Sequence, residues 1–195
     1  MSTVNLKCSI TGKLELSGNI TIIYNFAHQH MLSAIKFAEL TGEVERDNSD
    51  KKYGAFFQNI RTYVSSTIIL SVCALEANIN EHLASTNGIL KGYEDDHRAL
   101  ISPGDKWRGI IEKYQLGLLL NKKPLLKFDK EPFQSFQYLI LFRNSLVHYK
   151  PESDVDFGSS RKLEKSLRSK FEESSFTNKR DSFLTQRAMS YSCSK

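Results

Sequence analysis

Arg143, Asn144 and His148 are the residues whose types and spacing best suit chemistry, in the run Arg143-Asn144-Ser145-Leu146-Val147-His148. An arginine grips the non-bridging oxygens of a phosphodiester with a planar fork of N–H donors. A histidine can take up or release a proton near neutral pH. Together they suit cleavage of RNA, whose 2′-hydroxyl is an internal nucleophile, so no metal is needed to activate a water. The plainer reading is a helix-end ion pair or cap, because cations favour that end. The spacing alone is a weak signal. On an unbroken helix Arg143 and His148 point about 140° apart. One copy cannot easily aim both at one atom, so the helix frays near His148 or a second chain completes the site.

The element that carries these residues is readable. Pro132 suits the first turn of a helix, and Pro151 biases Lys150 away from helical geometry, so the helix should end near His148 or Tyr149. Its apolar residues are Phe133, Phe136, Leu139, Ile140, Phe142, Leu146 and Val147. Arg143 lies on or beside that face, where a guanidinium is costly unless something anionic meets it. The longest helical signal runs from about Tyr53 to Ala84 and is apolar nearly all round between Val64 and Ala77, which marks a central helix. It carries Glu76 and Asn80, one turn apart. With Tyr149 they are candidates to orient the site; a satisfied buried polar pair is the plainer reading. Asn25 can cap a helix presenting Ala27, Met31, Ala34, Ile35 and Ala38. The polar run from Thr41 to Lys52 reads as a loop. Trp107, Ile110, Ile111, Tyr114 and Leu118 form a further stripe.

The fold class expected is mainly α, an antiparallel four- to five-helix bundle with a short N-terminal β-hairpin region. Residues 1–24 alternate apolar and polar around turn-like Thr11-Gly12-Lys13 and Ser17-Gly18-Asn19, as short strands do. Residues 25–150 form the bundle. Residues 151–195 read as a polar, basic tail with one or two short helices, one of them around Leu163, Leu167 and Phe171, and as dispensable for the core.

Composition narrows the function classes. Three scattered cysteines, Cys8, Cys73 and Cys193, argue against a disulfide framework and a cysteine zinc site. No metal and no cofactor are expected. Glu94-Asp95-Asp96-His97 reads as a solvated loop, His28 and His30 as ordinary helix residues, and Trp107 as core. No run approaches about 18 consecutive apolar residues, and no signal-peptide core opens the chain, so a cytoplasmic protein without a membrane partner is expected. The net charge is +5, and residues 121–150 hold six basic residues against two acids. Lys122, Lys123, Lys127 and Lys150 are therefore RNA-contact candidates, a solvated basic loop being the plainer reading.

The run RNSLVHYKP resembles the HEPN family, compact helical bundles whose catalytic members carry R-x4-6-H, often with Asn, Asp or His directly after the Arg. The long helix with SVCALEANINEHL is similar to a HEPN helix bearing a central acid, here Glu76. The resemblance covers roughly residues 25–150. It implies a metal-independent endoribonuclease with a site shared across a homodimer, often a toxin or phage-defence effector with a neutralising or regulatory protein partner. Arg143 and His148 would be catalytic and Asn144 supporting. In one toxin subgroup a Tyr follows the His by two residues; here Lys150 stands there, and Tyr149 directly follows His148. The alternative is a non-catalytic HEPN-type interaction module that binds a protein partner or RNA.

Overall fold

The computed structural model describes residues 2–10, 14–22, 25–85, 87–94, 109–149, 158–168 and 170–195. It is mainly helical. Helices α1 (Phe26–Asp47), α2 (Phe57–Ala84), α3 (Ile110–Leu120), α4 (Phe133–Val147), α5 (Gly158–Leu167) and α6 (Tyr191–Ser194) follow in order, with a π-helical turn at Phe183–Arg187. Ahead of them β1 (Ser2–Ile10) and β2 (Leu14–Ile22) pair antiparallel, with Val4 opposite Ile20 and Cys8 opposite Leu16.

The apolar girth of α2 makes it the axis of the fold. Phe57, Ile60, Val64, Ile68, Val72, Ile79 and Leu83 are all buried, and α1, α3, α4 and α6 pack on it. Its length and composition would suit a membrane span, with a mean hydropathy of 1.3 over an 18-residue window. A core helix passes the same test, and 33% of that window is buried within the structure.

α1 runs antiparallel to α2. The N–H groups of Phe26 and Ala27 donate to Glu81 Oε1 at 2.9 and 3.2 Å, while Thr67 Oγ1 reaches the Ala34 carbonyl at 3.4 Å. Glu81 thus neutralises the positive end of α1, and Asn25 caps it by accepting from the His28 N–H. The buried residues of α1 are Ala27, Ala34 and Thr41, seven apart. Small side chains at this repeat let two backbones approach closely. Met31 and Ile35 were expected on that face but are 40% and 49% exposed, because so close a contact leaves larger side chains on its flank.

Two expectations are corrected. First, the run from Thr41 is not a loop at its start: α1 continues to Asp47. Thr41 is fully buried and its hydroxyl donates to the Phe37 carbonyl at 2.9 Å. The Tyr191 ring lies so close over Gly42 that a Cβ there would sit 3.1 Å from it. Second, the chain from Leu163 onward is not a tail apart from the core. Leu163, Leu167, Phe176, Phe183, Leu184, Ala188 and Met189 are buried in one cluster with Phe57, Ile60, Val64, Ile68 and Phe142. Phe56 and Phe176 meet edge-on at 5.0 Å, and Phe142 stacks with Phe171 at 6.3 Å. From Phe176 onward these residues are dispersed among serines and charges, so no helical or strand period betrays them.

Arg187 ties the C-terminal segment together. Its side chain is 7% exposed; Nη2 and Nε contact Glu173 at 2.7 and 2.9 Å, and Nη1 contacts Glu164 at 2.9 Å. The bond with Glu173 raises its pKa, burial works the other way, and the bond with Glu164 raises it further. Removing the guanidinium would leave two carboxylates facing each other. Arg187→Ala should lower the unfolding free energy by about 3 kcal/mol in urea titrations.

Glu45 gives a pH signature. Its carboxylate accepts the Tyr191 N–H at 2.7 Å. Burial pushes the carboxyl above its ordinary value, and the bond from Tyr191 offsets this only in part. Ionisation therefore costs more in the folded chain than in the unfolded one. Stability from this group is greatest below the unfolded pKa and falls as pH rises through the folded one. Glu45→Gln should raise Tm at neutral pH, with the difference closing as pH falls to about 4; calorimetry across that range reads the crossover.

Candidate functional site

α4 presents the Arg143–His148 run at its C-terminal end. At its start the Glu131 carboxylate accepts the Ser135 N–H at 3.1 Å, and bonds from Ser135 hold its carboxyl below the ordinary value. At its end Val147 is the last helical residue. His148 leaves helical geometry at φ −104° and ψ 34°, its N–H still donating to the Asn144 carbonyl at 2.9 Å. The helix thus ends at the histidine, which takes that residue off the regular helical spiral.

Arg143 turns toward α2. Its Nη2 lies 3.9 Å from Glu76 Oε2, close enough for charge attraction but too long for a hydrogen bond. Its Nε is buried and has no hydrogen-bond partner. The side chain is 22% exposed, and that of Glu76 is 44% exposed. A guanidinium with one loose carboxylate contact and a buried donor without an acceptor is under-satisfied, and an anion would complete it.

Asn144, His148 and Tyr149 are exposed, and the Ser145 hydroxyl folds back onto the Leu141 carbonyl at 3.0 Å. Among the described residues no hydrogen bond or ion pair joins Arg143 to His148. The structure therefore brings Glu76 to Arg143 and leaves His148 facing outward from the same end of α4.

Asn80 is engaged elsewhere. Its Oδ1 accepts from Lys113 Nζ at 2.9 Å, and Lys113 is only 3% exposed. Beside it the Tyr114 hydroxyl contacts the Leu75 carbonyl at 3.0 Å and Asn78 Oδ1 at 3.3 Å, and burial pushes that phenol up. This polar seam between α2 and α3 escaped the sequence reading. The stripe of Tyr114 and Leu118 sits one step round from the buried residues of α3, which are Ile110, Lys113 and Gly117. The signal was Gly117, whose missing side chain lets Ile79 and Ile89 come close.

Lys122, Lys123 and Lys127 are exposed on the connection between α3 and α4 and make no bond to Arg143 or His148. Lys150, Trp107 and Asp95 to His97 lie outside the described residues. His28 is exposed on α1, and the His30 ring lies 6.1 Å from that of Phe26. No group of three or more His, Cys, Asp or Glu able to hold a metal occurs among the described residues. A cleft of about 360 Å³ lined by Glu45, Glu172, Glu173 and Tyr191 contains none of the motif residues. In comparisons with protein-family models, curated proteins and solved structures, nothing matches this chain.

The seam makes a prediction of its own. Asn80→Leu would leave the Lys113 ammonium buried without its acceptor. It should cost about 1–3 kcal/mol of stability in denaturant titrations, and Lys113→Met in the same protein should recover part of the loss.

Proposed function

We propose that this chain is a HEPN-like, metal-independent endoribonuclease that works as a homodimer. In this reading the helices form a HEPN-type antiparallel bundle, and the N-terminal strands and C-terminal segment are additions to it. The observation that carries the reading is the Arg143 guanidinium, held by a single loose contact to Glu76 with its Nε unsatisfied, five residues before an outward-facing His148. Arg143 would grip the non-bridging oxygens of an RNA phosphate and stabilise the charge that builds there. Glu76 would set the angle of the guanidinium. The 2′-hydroxyl, already beside the phosphorus, attacks with expulsion of the 5′-oxygen, and a 2′,3′-cyclic phosphate remains. His148 would move the proton at one of these oxygens, with Asn144 supporting the phosphate.

The divergent directions of Arg143 and His148 favour a site completed by a second copy. The exposed stripe of Leu141, Asn144, Val147 and His148 on α4 would carry that interface, since Leu141 and Val147 are 42% and 51% exposed. Cytoplasmic RNA is the expected substrate, and a toxin or defence role with a neutralising protein fits such an activity. The Glu76 contact also favours a second reading, a non-catalytic module in which Arg143 is a structural ion pair.

The purified protein should cleave single-stranded RNA in EDTA, leave a 2′,3′-cyclic phosphate and spare DNA. His148→Ala should slow cleavage by about 10²-fold or more. Arg143→Lys should lose much of the activity, because an ammonium lacks the planar fork. Light scattering should give a dimer mass at micromolar concentration. Activity that needs magnesium, or that survives in His148→Ala, would overturn the mechanism; no cleavage by a correctly folded dimer would favour the module.

A further inference from the structure

The connection from α3 to α4 exposes large apolar and cationic side chains together. Leu119, Leu125 and Phe128 are 61%, 50% and 73% exposed. Lys122, Lys123, Lys127 and Lys130 stand among them, all exposed and none in an ion pair among the described residues. The acids of the stretch are Asp129 and Glu131, and Ser135 occupies the Glu131 carboxylate. Four lysines against two acids leave the stretch net positive.

This exposure is built in. Gln115 brackets Leu126 from both sides, Nε2 donating to its carbonyl at 2.8 Å and Oε1 accepting its N–H at 3.0 Å. Asn121 Nδ2 donates to the Gly117 carbonyl at 2.9 Å, and the Lys123 N–H to that of Leu118 at 2.9 Å. Lys122 takes a left-handed backbone at φ 53° to make the turn. The Phe128 ring rests at 68° against Phe133, centroids 4.7 Å apart, which supports it from one side. The connection is therefore braced from beneath while its apolar and cationic side chains face out.

Lys122, Lys123 and Lys127 are also candidates for RNA contacts. Phosphates would satisfy them, but half-exposed leucines gain nothing from a nucleic-acid backbone. An anionic bilayer surface satisfies both sets: ammonium groups meet the headgroups, and leucine and phenylalanine enter the boundary with the acyl chains. Lysine suits this geometry because its apolar stem can lie along the boundary while the charge stays in water. We propose that Leu119 and the connection Asn121–Pro132 form a docking surface for anionic phospholipid membranes. Docking here is peripheral and reversible. It requires no spanning segment, and it departs from the expectation of no membrane partner.

The test is co-sedimentation of the full-length protein with phosphatidylcholine vesicles, with and without about a quarter phosphatidylserine. Binding should need phosphatidylserine and weaken with salt. Leu125→Ala and Phe128→Ala should each lower the partition coefficient about tenfold, and each of Lys122→Gln, Lys123→Gln and Lys127→Gln roughly fivefold. The lysine and Leu125 side chains are exposed, so their variants should keep the wild-type melting curve, whereas Phe128→Ala, which loses its contact with Phe133, should keep one cooperative transition at a slightly lower temperature; Leu125→Met and Phe128→Trp should keep vesicle binding. Absence of binding to the phosphatidylserine vesicles overturns the proposal, as does binding indifferent to Leu125 and Phe128. If Phe128→Ala instead splits a dimer by light scattering, the surface belongs to a second copy. If the lysine variants lose only binding of a labelled single-stranded RNA, it belongs to nucleic acid. Both outcomes also overturn it.

Discussion

The fold depends on one constraint: α2 is apolar on nearly every side, so it must be covered on nearly every side. No single neighbour can do this. α1 covers one side through a seam of small residues, α3 and α4 cover others, and the C-terminal segment closes the remainder with Phe176, Phe183, Leu184 and Met189. The polar groups of α2 are then forced into the gaps between its neighbours. Thr67 bonds along its own helix to the Tyr63 carbonyl and across to Ala34. Asn80 meets Lys113, and Glu76 meets Arg143. The candidate site is thus a by-product of how a central helix disposes of its few polar residues.

That placement matters for chemistry. A guanidinium at the rim of an apolar interface interacts more strongly with an anion than one in open water, because the local dielectric is lower. Glu76, partly exposed, holds it without saturating it. A fully bidentate carboxylate, of the kind Glu173 offers to Arg187, would leave little for a ligand. The two arginines make the contrast within one molecule. Arg187 has three close bonds and a buried side chain and ties elements together; Arg143 has one contact of 3.9 Å.

Where periodicity was strong, the sequence was readable. The extent of α2, the Asn25 cap and the end of α4 near His148 all follow from spacing, capping and proline rules. Three things were not legible. The α1 seam follows Ala27, Ala34 and Thr41, because close approach selects small residues while a hydrophobic pattern weights Met31 and Ile35. Lys113 was invisible because a lysine inside a stripe reads as surface until its acceptor is known. The C-terminal contribution was hidden because its buried residues, from Phe176 to Met189, lie on turns and irregular chain, where neither period applies. For the candidate site, the pairing of Glu76 with Arg143 needed the register of α2 against α4, which no local pattern encodes.

The late position of that C-terminal segment has a consequence for how the chain is made. Ser65 on α2 meets Met189 across a separation of 124 residues. At ordinary rates of synthesis, Ser65 is made roughly 6–25 s before that partner exists. Through that interval one flank of the most apolar helix has nothing of its own chain to cover it. Contacts this distant in sequence also form late once the chain is free, because closing a long loop costs entropy before it gains contacts. The nascent protein therefore passes through a state with one flank of a long apolar helix uncovered, the kind of surface that chaperones hold and that aggregates when they do not.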